Sequence, residues 1–197
     1  AAAFIAAIDG VMYADDPKEG VIEGNEFLHP DLSLRFAVPA GFGMQNGATA
    51  VTIAGTGGQA QFTLAPYAGD MAAYIDAAFK KLGGDTRIPY GEVRRTTVNG
   101  LPAAYASATV NSQSGQVEVT VFAYEFARDR AYHFVALTEA GRMRTFDPLF
   151  ASLRRMTDAE ARAVRPRKID VVTVGRGDTV ASLASRMAFT TYQADRF

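Results

Sequence analysis

Between two stretches that alternate apolar and polar residues lies one segment with a different period. Met71, Tyr74, Ile75, Ala78, Phe79 and Leu82 recur at steps of three and four residues, the stripe of a helix packed on a sheet. Asp70 stands where an N-cap is needed and Gly83-Gly84 where the helix must end, because a small acidic side chain satisfies free N–H groups and glycine accepts the turn that closes a helix. The flanking runs then have to supply the sheet. The pattern predicts an α+β fold, a mostly antiparallel sheet with flanking helices, plus a small C-terminal strand-helix element.

The strand-like runs are read from their period of two. Leu32, Leu34, Phe36 and Val38 alternate with polar or small residues up to Pro39 and Gly41, giving one buried face. Residues 50–54 and 59–65 flank Gly55-Thr56-Gly57-Gly58 as a hairpin. These glycines loosely match a phosphate-binding loop, but such a loop opens a helix, whereas a strand follows here. Residues 90–98, 101–111, 116–127 and 130–138 form four further strand candidates, joined by Asn99-Gly100, a polar segment and Arg128-Asp129. Connections this short place neighbours antiparallel.

Near the ends the signals turn helical. Phe4, Ile5, Ile8 and Met12 have helical spacing until Asp15-Asp16-Pro17 stops it. Asp147-Pro148 reads as an N-cap and first-turn proline before Leu149, Phe150 and Leu153, and Thr157 with Glu160 forms a capping box. After Arg165-Pro166-Arg167, residues 169–174 read as a strand and 178–188 as a helix. The organisation expected is a helical and extended lead-in over 1–31 from a preceding domain, a main α+β domain over 32–164, and a small segment over 165–197.

Charge and composition narrow the function classes. Residues 1–31 carry seven acids against Lys18, while 142–168 carry eight bases against three acids, two faces that either stay solvated or attract one another. Nucleic acid is not an expected partner, because the bases are not interleaved with aromatics and the whole chain has a net charge of -1. No apolar run reaches the roughly 18 residues of a membrane span, and residues 1–8 lack the basic flank of a signal peptide. With no cysteine there is no thiolate chemistry. His29 reads as a turn residue and His133 as a strand-face residue, and neither has metal-ligand spacing or a nucleophile motif near it. No catalytic or metal-binding residue is assigned. The aromatics sit at strand and helix periods, as core residues do.

Several motifs carry resemblances. Ile8-Asp9-Gly10-Val11-Met12-Tyr13, Glu23-Gly24-Asn25-Glu26-Phe27-Leu28-His29-Pro30 and Phe36-Ala37-Val38-Pro39-Ala40-Gly41-Phe42 resemble the C-terminal region of bacterial zinc metallopeptidases of the HtpX and BepA type. Asn99-Gly100-Leu101-Pro102-Ala103 and the segment from Arg165 onward extend that resemblance over nearly the whole chain. It implies a non-catalytic part of an envelope-facing, periplasmic protease, with zinc and the catalytic glutamate in a preceding catalytic domain and no cofactor here. The middle of the chain resembles the PsbP-like α+β sandwich. Val171-Val172-Thr173-Val174 with Gly177-Asp178-Thr179 resembles the opening of a LysM repeat, which implies glycan contact at Gly177, Asp178 and Thr179, although the second helix and closing strand of such a unit are missing.

Two functions follow from these expectations. One is an accessory domain of a zinc metallopeptidase that positions protein substrate, or anchors its catalytic domain to peptidoglycan. The other is a free-standing PsbP-like ligand-binding or scaffold module.

Overall fold

The computed structural model of the protein describes residues 7, 9, 11–13, 16, 18–112, 115–165, 167–188 and 192–197. The chain divides into two compact units, Pro17–Val164 and a smaller one formed by Ala1–Asp16 with Arg165–Phe197. Element labels run in chain order across both.

In the smaller unit β1 (Met12–Tyr13) pairs antiparallel with β13 (Arg167–Lys168), and α4 (Val180–Ala184) and α5 (Gln193–Arg196) follow. The strand expected over 169–174 does not form: Val172 and Val174 are exposed, and among the described residues the segment meets the start of the chain through the Ile169 N–H on the Val11 carbonyl and the Val171 N–H on the Asp9 carboxylate. Without a face to bury, that alternation does not hold a ladder. The helix expected over 178–188 is limited to α4, which buries Leu183 and Ala184. The helical spacing through Phe4, Ile5 and Ile8 lies outside the described residues.

The larger unit is α+β and built on a seven-stranded antiparallel sheet. Its strands are β5 (Phe42–Asn46), β6 (Val51–Gly55), β7 (Gly58–Pro66), β8 (Arg94–Val98), β9 (Leu101–Ser112), β10 (Gly115–Ala127) and β11 (Arg130–Glu139). They lie in the order β5-β6-β7-β11-β10-β9-β8. Two hairpin meanders are thus joined where β7 meets β11, and the chain crosses between them through helix α1 (Met71–Gly83). A second, four-stranded sheet runs β12-β4-β3-β2, from β12 (Arg154–Arg155), β4 (Leu34–Ala37), β3 (Glu26–His29) and β2 (Val21–Glu23). Residues 21–29, expected in a lead-in, are therefore strands of the larger unit, because Phe27 and Leu28 need its core to leave water.

Alternation along each strand divides the core into two layers. On β10, Phe122, Tyr124 and Phe126 face the four-stranded sheet together with α2 (Asp147–Ser152), while Val119, Val121 and Ala123 face α1. Alanines 104, 106 and 108 on β9 are all buried on the helix side. Their small side chains let α1 settle close, with Ile75 fully buried. The helix starts as expected, the Asp70 carboxylate accepting from the N–H groups of Ala72 and Ala73 at 2.9 and 3.2 Å, and ends at Gly84 with φ +57°.

Two boundaries differ from the reading of the sequence. Residues 90–93 are outside β8: Tyr90 stacks on Phe79 with centroids 4.4 Å apart and donates to Asp76 at 2.8 Å, fastening α1, and the Gly91 N–H makes a single bond to the Ser107 carbonyl of β9 at 2.9 Å without extending the ladder. Asp147 does not cap α2; a 3-10 turn (Met143–Phe146) runs directly into the helix, so Asp147 already has helical angles. The Thr157–Glu160 capping box does form, opening α3 (Asp158–Ala163). Glu160 also binds Arg154 at 2.6 Å and Arg35 at 2.9 Å, and Arg35 pairs in turn with Glu26. Arg35 thereby links an acid from the first 31 residues to the basic stretch.

Candidate functional site

Among the described residues of the larger unit, three places that bring polar groups against the core bear on function, and their hydrogen bonding separates framework from site. Under α1, the Tyr74 hydroxyl lies 2.9 Å from His133 Nδ1, donates to the Ala131 carbonyl at 3.1 Å and accepts from the Ala65 N–H at 3.2 Å. With its proton on Ala131, it takes the Nδ1–H of a neutral His133. Burial, aided by Lys81, lowers the His133 pKa to about 4, and burial raises that of Tyr74. Every polar atom named here is used within the protein. The pair pins helix to sheet, so His133 is the strand-face residue its alternation implied.

At the far end of β9 and β10 the core layer gives way to an open shelf of about 380 Å³. Tyr105, Phe122 and Phe150 stack face to face, with centroids 5.2 and 4.8 Å apart. Beside them the Ser107 and Thr120 hydroxyls bond each other at 2.7 Å, and Glu118 accepts from the Gly141 N–H at 3.1 Å. These polar groups too are spent on one another.

The third place is a cavity of about 220 Å³ at one end of the two sheets, lined by Phe27 and His29 of β3, Leu32, the turn 47–50, Phe62 and Leu64 of β7, and Tyr132 of β11. Local chemistry builds its walls. The turn closes through Gly47 N–H to Ala50 C=O at 3.0 Å and is tied to β7 by the Thr63 hydroxyl on the Thr49 carbonyl at 3.0 Å. Gly20, at φ +90°, lets the chain pass over the Phe27 ring, where a Cβ would collide. Tyr132 stacks on Phe62 with centroids 5.8 Å apart and sits edge-on to Phe126.

One of its wall residues also carries a polar group left unmet in the core behind it. Among the described residues, the Tyr132 hydroxyl is buried without a hydrogen-bond partner, a rare state for a native side chain. Burial raises its pKa, opposed by the nearby Arg130 and Arg155 guanidiniums. Arg155 is held over the Phe126 ring, 4.2 Å from its centroid, and donates to the Phe126 carbonyl. His29 is half-buried, and the Leu32 N–H reaches its Nδ1 at 3.4 Å. Burial lowers its pKa, opposed by Asp31 and by a hydrogen bond from the ring to its own backbone.

The residues singled out in the smaller unit are engaged locally. Asp178 Oδ2 accepts from the Gly175 N–H at 2.7 Å, Thr179 caps α4 in a reciprocal pair with Ser182, and Gly177 takes φ +98° in the turn between. They are neighbours on one loop, as their spacing required, and His29 and His133 are not brought together. Among the described residues no group of three or more histidines or acids is placed to hold a metal ion, and no helix is long and apolar enough to cross a membrane. The cavity itself was missed by pattern reading. Its one sequence signal was His29 at a strand end beside a buried aromatic.

Comparison with known proteins bears on the fold. No protein-family model matches the chain, and no curated protein matches it. Among solved structures, a crystal structure from Bacteroides thetaiotaomicron matches 71% of this chain at 12% identity with a TM-score of 0.51. The match covers 51% of that protein, so the chain spans about half its length. The solution structure of cyanobacterial PsbP (CyanoP) from Synechocystis matches 74% of this chain and 98% of its own, at 12% identity and a TM-score of 0.47. These likenesses concern fold, and they add nothing to the metallopeptidase and LysM resemblances.

Proposed function

We propose that the larger unit is a non-catalytic ligand-binding module whose ligand enters the cavity lined by Phe27, His29, Phe62 and Tyr132. The observation that carries this reading is the cavity itself, a recess of about 220 Å³ walled by Phe27, Leu32, Phe62, Leu64 and the Tyr132 ring with the half-buried His29 beside them. At about 220 Å³ the cavity is smaller than the roughly 300–1,000 Å³ of pockets for drug-sized ligands. Its occupant is correspondingly small. A recess of this size takes a small molecule, which favours the ligand-binding module over the protease accessory role.

The chain has no tryptophan, which makes a single reporter informative. Leu64 lines the cavity and is 58% exposed, so Leu64→Trp places an indole at its rim. Titration with a library of small fragments is expected to shift its emission, while a Leu82→Trp reporter on α1 stays unchanged. Fragments that shift both reporters alike, or a library that shifts neither and leaves the melting temperature of the unmodified protein constant, would overturn the proposal.

A further inference from the structure

We infer that the open edge of β8 takes up an extended acidic peptide as an added strand, an interaction separate from the cavity. The direction of the backbone comes first. β8 ends the seven-stranded sheet and pairs on one side only, with β9, in a register from Arg94↔Tyr105 to Val98↔Leu101. Across an antiparallel pair, opposed residues alternate between those that exchange hydrogen bonds and those that turn their N–H and C=O away. Two observations fix the phase. Thr97 stands opposite Pro102, which has no N–H to give. Just before β8, the Gly91 N–H reaches the Ser107 carbonyl at 2.9 Å, so Ser107, Tyr105 and Ala103 aim their backbone groups at this side. Arg95 and Thr97 therefore direct theirs outward, and no backbone group of the described residues meets them.

The opposite edge of the sheet shows what closure looks like. There β5 lies against β2, and the Asn46 amide donates to the Glu19 and Gly20 carbonyls at 3.1 and 2.9 Å. On β8, Arg94, Arg95, Thr96 and Thr97 are all exposed. Edges are also blocked by proline, by bulges or by charge, and Arg94–Val98 has only charge.

That charge and the neighbouring surface define the strand that fits. Arg94 and Arg95 make no salt bridge among the described residues, and Glu125, on the same face as Arg95, is bonded by the Tyr67 hydroxyl. Successive residues point to opposite faces, so the two guanidiniums straddle the edge. A second copy of β8 would bring arginine against arginine, whereas a strand with two consecutive acids pairs with both. On the Arg94 face, Thr96 and Val98 rim the shelf of about 380 Å³ that holds Tyr105, Phe122 and Phe150. In strand addition the main chain supplies the bonds and alternate side chains enter pockets. The residue opposite Thr96 faces the shelf, and an apolar side chain suits its rings. The ligand class is thus an extended apolar-acid-acid segment antiparallel to β8.

The peptide acetyl-Thr-Thr-Phe-Glu-Glu-Thr-amide is the probe, titrated into the full chain and followed by amide NMR. Saturable shifts are expected at Arg95 and Thr97, with affinity at least about tenfold lower when both Glu are replaced by Lys. N-methylation of the first Glu, whose N–H faces β8, should cost at least about fivefold, and N-methylation of Phe, whose N–H faces away, should leave affinity nearly unchanged. Thr97→Pro removes one outward N–H at an edge, where proline is tolerated, and should weaken binding with the melting temperature kept. Arg95→Glu should shift the preference toward the Lys peptide. Equal loss from either N-methylation, affinity indifferent to the Glu-to-Lys exchange, or no shift at millimolar peptide would overturn the inference. So would a concentration-dependent dimer of the protein alone that Thr97→Pro disrupts, because the edge would then belong to a second copy.

Discussion

Replacing Tyr132 by phenylalanine should make this protein more stable, against the usual direction of core substitutions. The change deletes one hydroxyl and keeps the ring that packs on Phe62 and Phe126. A buried hydroxyl whose proton finds no acceptor costs about 1–3 kcal/mol; Arg130, which approaches the oxygen as a donor, and the nearby Arg155 offset part of that, so the lower end, a gain of about 1 kcal/mol, is expected. The same chemical change at Tyr124 provides the contrast. Its hydroxyl donates to the Phe150 carbonyl at 2.7 Å in the core, and Tyr124→Phe loses that bond and strands the carbonyl, at about 1–3 kcal/mol. For a unit of roughly 150 residues each kcal/mol moves the melting temperature by about 2–4 °C. The two variants should therefore melt at least about 4 °C apart on either side of wild type. Urea denaturation should show the difference in midpoint with an unchanged slope. A Tyr132→Phe protein that loses stability as Tyr124→Phe does would refute the reasoning, because the hydroxyl would then have a partner.

Three further outcomes are expected. His133 has a folded pKa of about 4 against an ordinary 6.5, so between those values the unfolded chain binds a proton that the folded chain does not. Its contribution is complete above about pH 6.5 and is lost as pH falls toward 4, by at most about 3 kcal/mol; wild type minus His133→Gln in denaturant titrations isolates it from His29, and parallel pH curves would contradict it. Ile75→Asp places a charge at a fully buried position under α1 and should cost about 3–5 kcal/mol, whereas a melting temperature within a degree of wild type would mean that α1 does not pack there. Thr179→Ala removes the α4 cap and should weaken the smaller unit by about 1 kcal/mol, read as faster hydrogen exchange at Ser182; retention of wild type on purified peptidoglycan that Asp178→Ala with Thr179→Ala abolishes would instead assign that loop to glycan.

How much of this was legible beforehand depended on the range of the forces involved. The α1 stripe, its Asp70 cap, the hairpins and the Thr157 capping box are local, and pattern alone locates them because each is decided within a few residues. The α+β class follows from the same signals. Edge strand β5 escaped notice because its residues are only half covered and include Gly43, leaving a weak alternation. The opposite error arose over 169–174, where a good alternation finds no face to cover. Placement of β2 and β3 depended on Phe27 meeting Phe36 and Phe62, rings 5.1 and 6.4 Å away, which spacing in the chain does not disclose. The candidate site is the least legible part. Tyr132 and His29 come from distant strands, and what marks Tyr132 is a missing hydrogen bond, a property of the assembled core and of no motif.

The most direct test is the fluorescence of the Leu64→Trp protein titrated with small fragments. Emission that shifts and saturates while the Leu82→Trp reporter stays constant is the expected result, and a response of both reporters alike, or of neither, would contradict a ligand site in the cavity.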